Sequence, residues 1–154
     1  LEVLMIALLD VNVLLALAFP NHQHWPAATQ WFRRERENGW ATCAVTQAGF
    51  LRIATTVSAV GTIIAMRDAV ELLVQSTADP RHQFWPLDSP PVQIRADIRN
   101  RMLGPKHVTD AQLLDLAIRR GGKLVTFDQR LEYLLPPQAG LGAHLEVIRE
   151  HPIG

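Results

Sequence analysis

The spacing of apolar positions changes repeatedly along the chain, from continuous runs to a helical period and back, and this alternation predicts an α/β architecture. Val3–Leu9 and Val13–Phe19 are apolar runs of seven residues each, parted by Asp10 and Asn12, and the first reads as a buried strand. Trp25-Pro26 opens a helix with proline in its first turn; Trp25, Ala28, Trp31 and Phe32 share one face, and Gly39 follows as the stop. Ala41–Val45 predicts a second strand, with Thr46 capping a helix toward Ala54. Ile63, Met66, Val70 and Leu73 mark the inner face of a helix that ends before Pro80, and His82–Leu87 reads as a third strand. Ser89-Pro90-Pro91 starts a helix with Ile94, Ile98 and Met102 on one stripe, halted by Gly104-Pro105. Thr109-Asp110-Ala111-Gln112 has the form of a capping box, opening a helix that runs to Arg120 before Gly121-Gly122. Lys123–Phe127 and His144–Ile148 supply the last strands. With no repeat or linker, the expectation is one domain over residues 1–154, a mostly parallel sheet of about five strands flanked by helices.

Composition narrows the setting. Cys43 is the only cysteine, so the chain has no intrachain disulfide and no cysteine zinc cluster, and a reducing, cytoplasmic location is expected. Neither apolar run approaches the roughly 20 residues that span a bilayer, and Leu1-Glu2 is not the basic start of a signal peptide. Basic and acidic residues balance at 15 each, yet between Arg95 and Arg130 eight basic residues stand against four acids. That half leans positive, as a solvated helix face or as a surface for nucleic acid.

An ionised carboxylate inside the most apolar stretch costs several kcal/mol unless it caps or binds something, so Asp10 asks for a role. It falls just past the end of the first strand, and Asp128 just past Lys123–Phe127, so a parallel sheet brings both to its carboxyl edge, where open α/β folds place ligands. Asp110 opens the helix that leads into the latter strand. Each acid has a structural alternative, Asp10 as an N-cap and Asp110 in a first helical turn, but three clustered carboxylates repel unless a cation neutralises them. Phosphodiester hydrolysis fits such a cluster. Asn12 could orient Asp10, and Thr126, on the same side of its strand as Asp128, could bond an acid or a ligand.

The segments "LLDVNVLLAL", "VTQAGFLRI" and "VTDAQLLDLAIRRGGKLVTFDQRL" resemble the PIN domains, and among them the VapC-type ribonuclease toxins, over nearly the whole chain. The resemblance implies a three-layer fold and an acid cluster, matched here by Asp10, Asp110 and Asp128, that binds Mg²⁺ or Mn²⁺ and cleaves structured RNA such as transfer or ribosomal RNA. It further implies a VapB-type antitoxin and a homodimer. Where the family commonly carries a glutamate after the second strand, this chain has Gln47, whose amide oxygen can face a cation directly or through water without adding charge. Arg52 lies in the matching segment and, with Arg119 and Arg120, is a candidate contact for RNA or antitoxin. Asp115, about 140° around the helix from Asp110, is expected in solvent, while Asp68 and Glu71 are remote candidates for the cluster. Two competing readings are a PIN-like protein-binding module without metal chemistry and a small Mg²⁺-dependent phosphatase.

Overall fold

The computed structural model describes residues 4–56, 61 and 63–150, so the predicted strand start at Val3 lies outside the described residues. Five short strands form one sheet: β1 (Ala7–Leu9), β2 (Trp40–Thr42), β3 (His82–Phe84), β4 (Lys123–Thr126) and β5 (Leu145–Val147). Their order is β3-β2-β1-β4-β5 and every pairing is parallel. Strand order reverses between β1 and β4, which makes their carboxyl ends the switch point of the sheet.

Alternation along the strands assigns the two faces. Leu8, Ala41 and Leu124 enter one core layer with Trp85, Ile94, Ile98 and the inner side of a long helix, Lys106–Arg119. Ala7, Leu9, Trp40 and Val125 enter the other, beneath α1 (Val11–Ala18), α2 (Trp25–Glu35), α3 (Ala44–Ala54) and α4 (Met66–Thr77). The first three of these helices reach the layer through Leu14, Trp31 and Phe50. Trp31 and Trp40 are therefore core bodies. Gly49 sets the approach of α3 to α1: a Cβ there would stand 2.6 Å from Cγ2 of Val11. Gly121, at φ +67°, turns the chain after the long helix, and a Cβ on Gly122 would meet the Ile6 carbonyl oxygen at 2.4 Å.

Several boundaries differ from the expectation, for local reasons. β2 ends at Thr42 because Ala44 already begins α3; Thr46 is not the cap but the reciprocal partner, accepting the Cys43 N–H at 3.0 Å. On α4 Leu73 is buried as expected, but its partner on the buried side is Ala69, while Ile63, Met66 and Val70 are exposed, because the helix is turned to seat the Ala69–Leu73 side. The helix expected from Ser89 breaks into a turn at Pro91–Gln93 and a short helix, α5 (Ala96–Arg99). Asp115 takes the Arg95 N–H at 3.1 Å, which holds Arg95 extended between the two pieces.

The long helix, α6, starts at Lys106 rather than at the Thr109 box. Pro105 already has helical φ and ψ of −61° and −28°, and a missing N–H costs nothing at a helix start, so the proline opens this helix instead of following a stop. Asp115, expected in solvent, is only 4% exposed; it accepts Arg95 N–H and, at 2.7 Å, Nε of Arg119.

Candidate active site

The switch point is built from the two strands that flank it. Leu9 pairs with Val125, and the Asp10 N–H extends the ladder by donating to the Val125 carbonyl at 2.9 Å. The chain then turns into α1, whose N-cap is Asp10: Oδ1 accepts the Val11 N–H at 2.8 Å. The capping role is thus real, but it occupies only one carboxylate oxygen. Oδ2 accepts a hydrogen bond from the buried Thr126 hydroxyl at 2.8 Å.

Thr126 is the hinge of this edge. Its Oγ1 also accepts from Asn12 Nδ2 at 3.1 Å and from the Asp128 N–H at 3.1 Å. Asn12 in turn accepts the Phe127 N–H at 3.2 Å through Oδ1. The loop after β4, which carries Asp128, is therefore tied to the start of α1, which carries Asp10. Phe127 stacks on His24 with ring centres 4.5 Å apart, and His24 also meets Glu150 at 2.8 Å.

Asp110 arrives from α6. Because the helix begins at Lys106, Asp110 is one turn inside it and no acid stands in the first turn. The first-turn role that could have excused it as structural is absent. Half-buried, Asp110 is pushed up to about 6, first by burial and then by the negative charges of Asp10 and Asp128, with Arg130 opposing. Asp10 is raised as well: burial dominates, Asp128 adds to it, and the bonds from Thr126 and Val11 pull the other way. Asp128 is lowered, chiefly by hydrogen bonds from Arg130, which outweigh burial. Asp110 thus feels the charge of both other acids, and Asp10 that of Asp128.

Their disposition is open rather than caged. Among the described residues, no three His, Cys, Asp or Glu side chains are grouped to hold an ion as they stand. Arg130 donates from Nε to Oδ1 of Asp128 and from Nη2 to Oδ2, both at 3.0 Å. The donor chemistry nonetheless fits a hard divalent cation. All three groups offer carboxylate oxygens; Asp110 and Asp10 are raised first by burial, and the smaller share that comes from neighbouring acids is negative charge that a cation would relieve. Asp110, Asp128 and Arg130 line a cleft of about 70 Å³ with Lys106, His107 and Leu134.

The other candidates lie in different surroundings. Gln47 donates through Nε2 to Thr42 Oγ1 at 3.0 Å, and Thr42 Oγ1 meets His82 Nε2 at 2.8 Å, so the amide is bound into a polar chain between β2 and β3 rather than to an acid. Arg52 is exposed on α3. Arg119 is occupied by Asp115 and by the Gln93 carbonyl, at 2.7 Å each, and Arg120 stands 3.8 Å from Asp88. On α4, Asp68 faces Arg67 at 3.6 Å, and Glu71 accepts from Gln75 at 3.2 Å; neither enters the cluster. The sequence counts Arg130 and Lys106 only within the basic stretch from Arg95 to Arg130 and gives no sign of His107, although an arginine two residues after a site acid is a readable signal.

Comparison with known proteins agrees with this geometry. The PIN domain family matches residues 7–134. Ribonuclease VapC39 of Mycobacterium tuberculosis is 44% identical over 127 residues, covering 82% of this chain and 91% of the relative. Ribonuclease VapC44 of the same organism is 40% identical over 133 residues, covering 86% and 93%. Ribonuclease VapC38 is 43% identical over 122 residues, covering 79% and 84%. With an all-parallel sheet, acids at its switch point and relatives that align along most of their length, this chain belongs to the PIN domain family.

Proposed function

We propose that this chain is a metal-dependent endoribonuclease of the VapC toxin type, cutting structured RNA such as transfer or ribosomal RNA and neutralised by a VapB-type antitoxin. The observation that carries the reading is the convergence of three acids at the switch point: Thr126 ties the Asp10 carboxylate to the Asp128 backbone, and Asp110 lines one cleft with Asp128. The names of the M. tuberculosis relatives support the activity.

In this reading Asp10, Asp110 and Asp128 would hold Mg²⁺ or Mn²⁺, which would supply Lewis-acid charge to the phosphate and to water. Thr126 and Asn12 fix the Asp10 carboxylate and the Asp128 backbone relative to each other, so the acids need little reorganisation when substrate arrives. Hydrolysis joins the water oxygen to phosphorus and breaks a P–O bond to ribose, whose oxygen leaves with a proton. A cleft of about 360 Å³ lined by Leu14, Leu17, Phe32, Phe50 and Leu73 gives an antitoxin an apolar seat, and a homodimer is the expected assembly.

The test is direct. Purified protein is incubated with transfer and ribosomal RNA in Mg²⁺, in Mn²⁺ and in EDTA, and RNA ends are sequenced. Discrete new ends in either metal and none in EDTA are expected. No cleavage in either metal overturns the proposal, and hydrolysis of p-nitrophenyl phosphate without RNA cleavage favours the phosphatase reading.

A further inference from the structure

Arg130 has an 80% exposed side chain, yet both prongs of its guanidinium fork are laid on the two oxygens of Asp128, at 3.0 Å each. Its backbone N–H gives Oδ1 a further bond at 2.9 Å. That backbone bond caps the turn after β4 without help from the side chain. The guanidinium also lies within electrostatic reach of Asp110. It is thus a cation placed beside Asp128 and Asp110, sharing their cleft with Lys106 and His107.

Two physical facts give this arrangement a purpose. A cleft lined by carboxylates repels a phosphodiester, so RNA must find positive charge there before it can approach. The guanidinium fork that matches two carboxylate oxygens matches two phosphate oxygens equally well. An exposed ion pair contributes little to stability, so exchanging one anion for the other is undemanding.

Resting on the ribonuclease reading, we propose that Arg130 is a substrate-binding residue: its guanidinium, held on Asp128 in the free protein, passes to the oxygens of an RNA phosphodiester in the cleft and leaves Asp128 free for the cation. Asp128 is held by a residue that the substrate itself removes.

The test uses a fluorescein-labelled transfer-RNA stem-loop in an Asp10→Asn background, which keeps the RNA intact, with anisotropy read across a salt series. Arg130→Gln should weaken binding about 10-fold and make the slope of log affinity against log salt shallower by about 0.7–0.9, the loss of one phosphate contact. Arg130→Lys should restore the slope and part of the affinity. In RNA-free protein with Asp10 intact, calorimetry should show tighter Mn²⁺ binding for Arg130→Gln, because Asp128 is no longer shared. Unchanged RNA affinity and slope overturn the phosphate contact, and unchanged Mn²⁺ affinity overturns the release of Asp128. If the wild-type protein cuts RNA while either result is negative, Arg130 alone is misassigned; if it neither binds nor cuts RNA, the ribonuclease reading falls.

Discussion

The Thr126 hydroxyl donates to Oδ2 of Asp10 at 2.8 Å while accepting the Asp128 N–H at 3.1 Å, so one side chain sets the positions of two acids on neighbouring strands. A hydroxyl has one proton, and the 2.8 Å contact to Asp10 takes it in preference to the 3.5 Å contact to Asn12 Oδ1. Thr126→Val keeps the shape and removes these bonds. RNA cleavage should fall about 10- to 100-fold and stability by about 1–3 kcal/mol, with Thr126→Ser recovering most of both. Cleavage rates and denaturant melts of the three proteins check this.

Asp110 supplies a pH dependence with a definite sign. Its folded pKa of about 6 lies above the ordinary value of 3.8, so between the two the folded state binds more protons than the unfolded state. Stability of the metal-free protein should therefore fall as pH rises from about 4 to about 6 and then level off. Asp10, shifted in the same direction, adds to the fall. Asp110→Asn should flatten the profile and leave the metal-free protein at neutral pH as stable as wild type or more so. Melting temperatures in EDTA across that range decide it.

The contact between α1 and α3 tests the packing that presents Asp10. Gly49→Ala puts a methyl 2.6 Å from Cγ2 of Val11, the residue after the acid, and should cost about 1–3 kcal/mol. Gly49→Ala with Val11→Ala should recover part of the loss, as two neighbours that share one space do. Equal stability of wild type and Gly49→Ala would mean that the helices can part without cost.

Arg119 is expected to matter for folding. Removing its guanidinium leaves the buried Asp115 with the Arg95 N–H and frees the Gln93 carbonyl, so Arg119→Ala should lose about 1–3 kcal/mol. The salt dependence of RNA binding should be unchanged. A stable variant with a shallower salt slope would place Arg119 on the RNA instead.

The parts legible in the sequence were those that depend on local pattern. The apolar run before Asp10 and the run before Asp128 read as parallel strands, and strand ends fix acids at the edge regardless of packing detail. What failed had other causes. Asp115 looked like a solvent residue because one of its partners, the Arg95 N–H, lies 20 positions away, while the other, Arg119, is a helical neighbour that could equally have paired in solvent. The Thr109-Asp110 box imitated a helix start, but Pro105, already helical, began α6 one turn earlier. On α4 two apolar stripes competed, and only packing on α3 selected Ala69 and Leu73 over Met66 and Val70. The Arg130–Asp128 contact was local enough to be read, since two residues in a turn place both side chains together.

That the three acids act as one centre is tested most directly by the cleavage rate of Asp110→Asn against wild type at saturating Mn²⁺, with folding verified by melting. Loss of one charge from the cluster should lower the rate at least about 100-fold while the metal-free protein melts no lower than wild type. A well-folded Asp110→Asn protein that cleaves RNA at the wild-type rate would contradict the account.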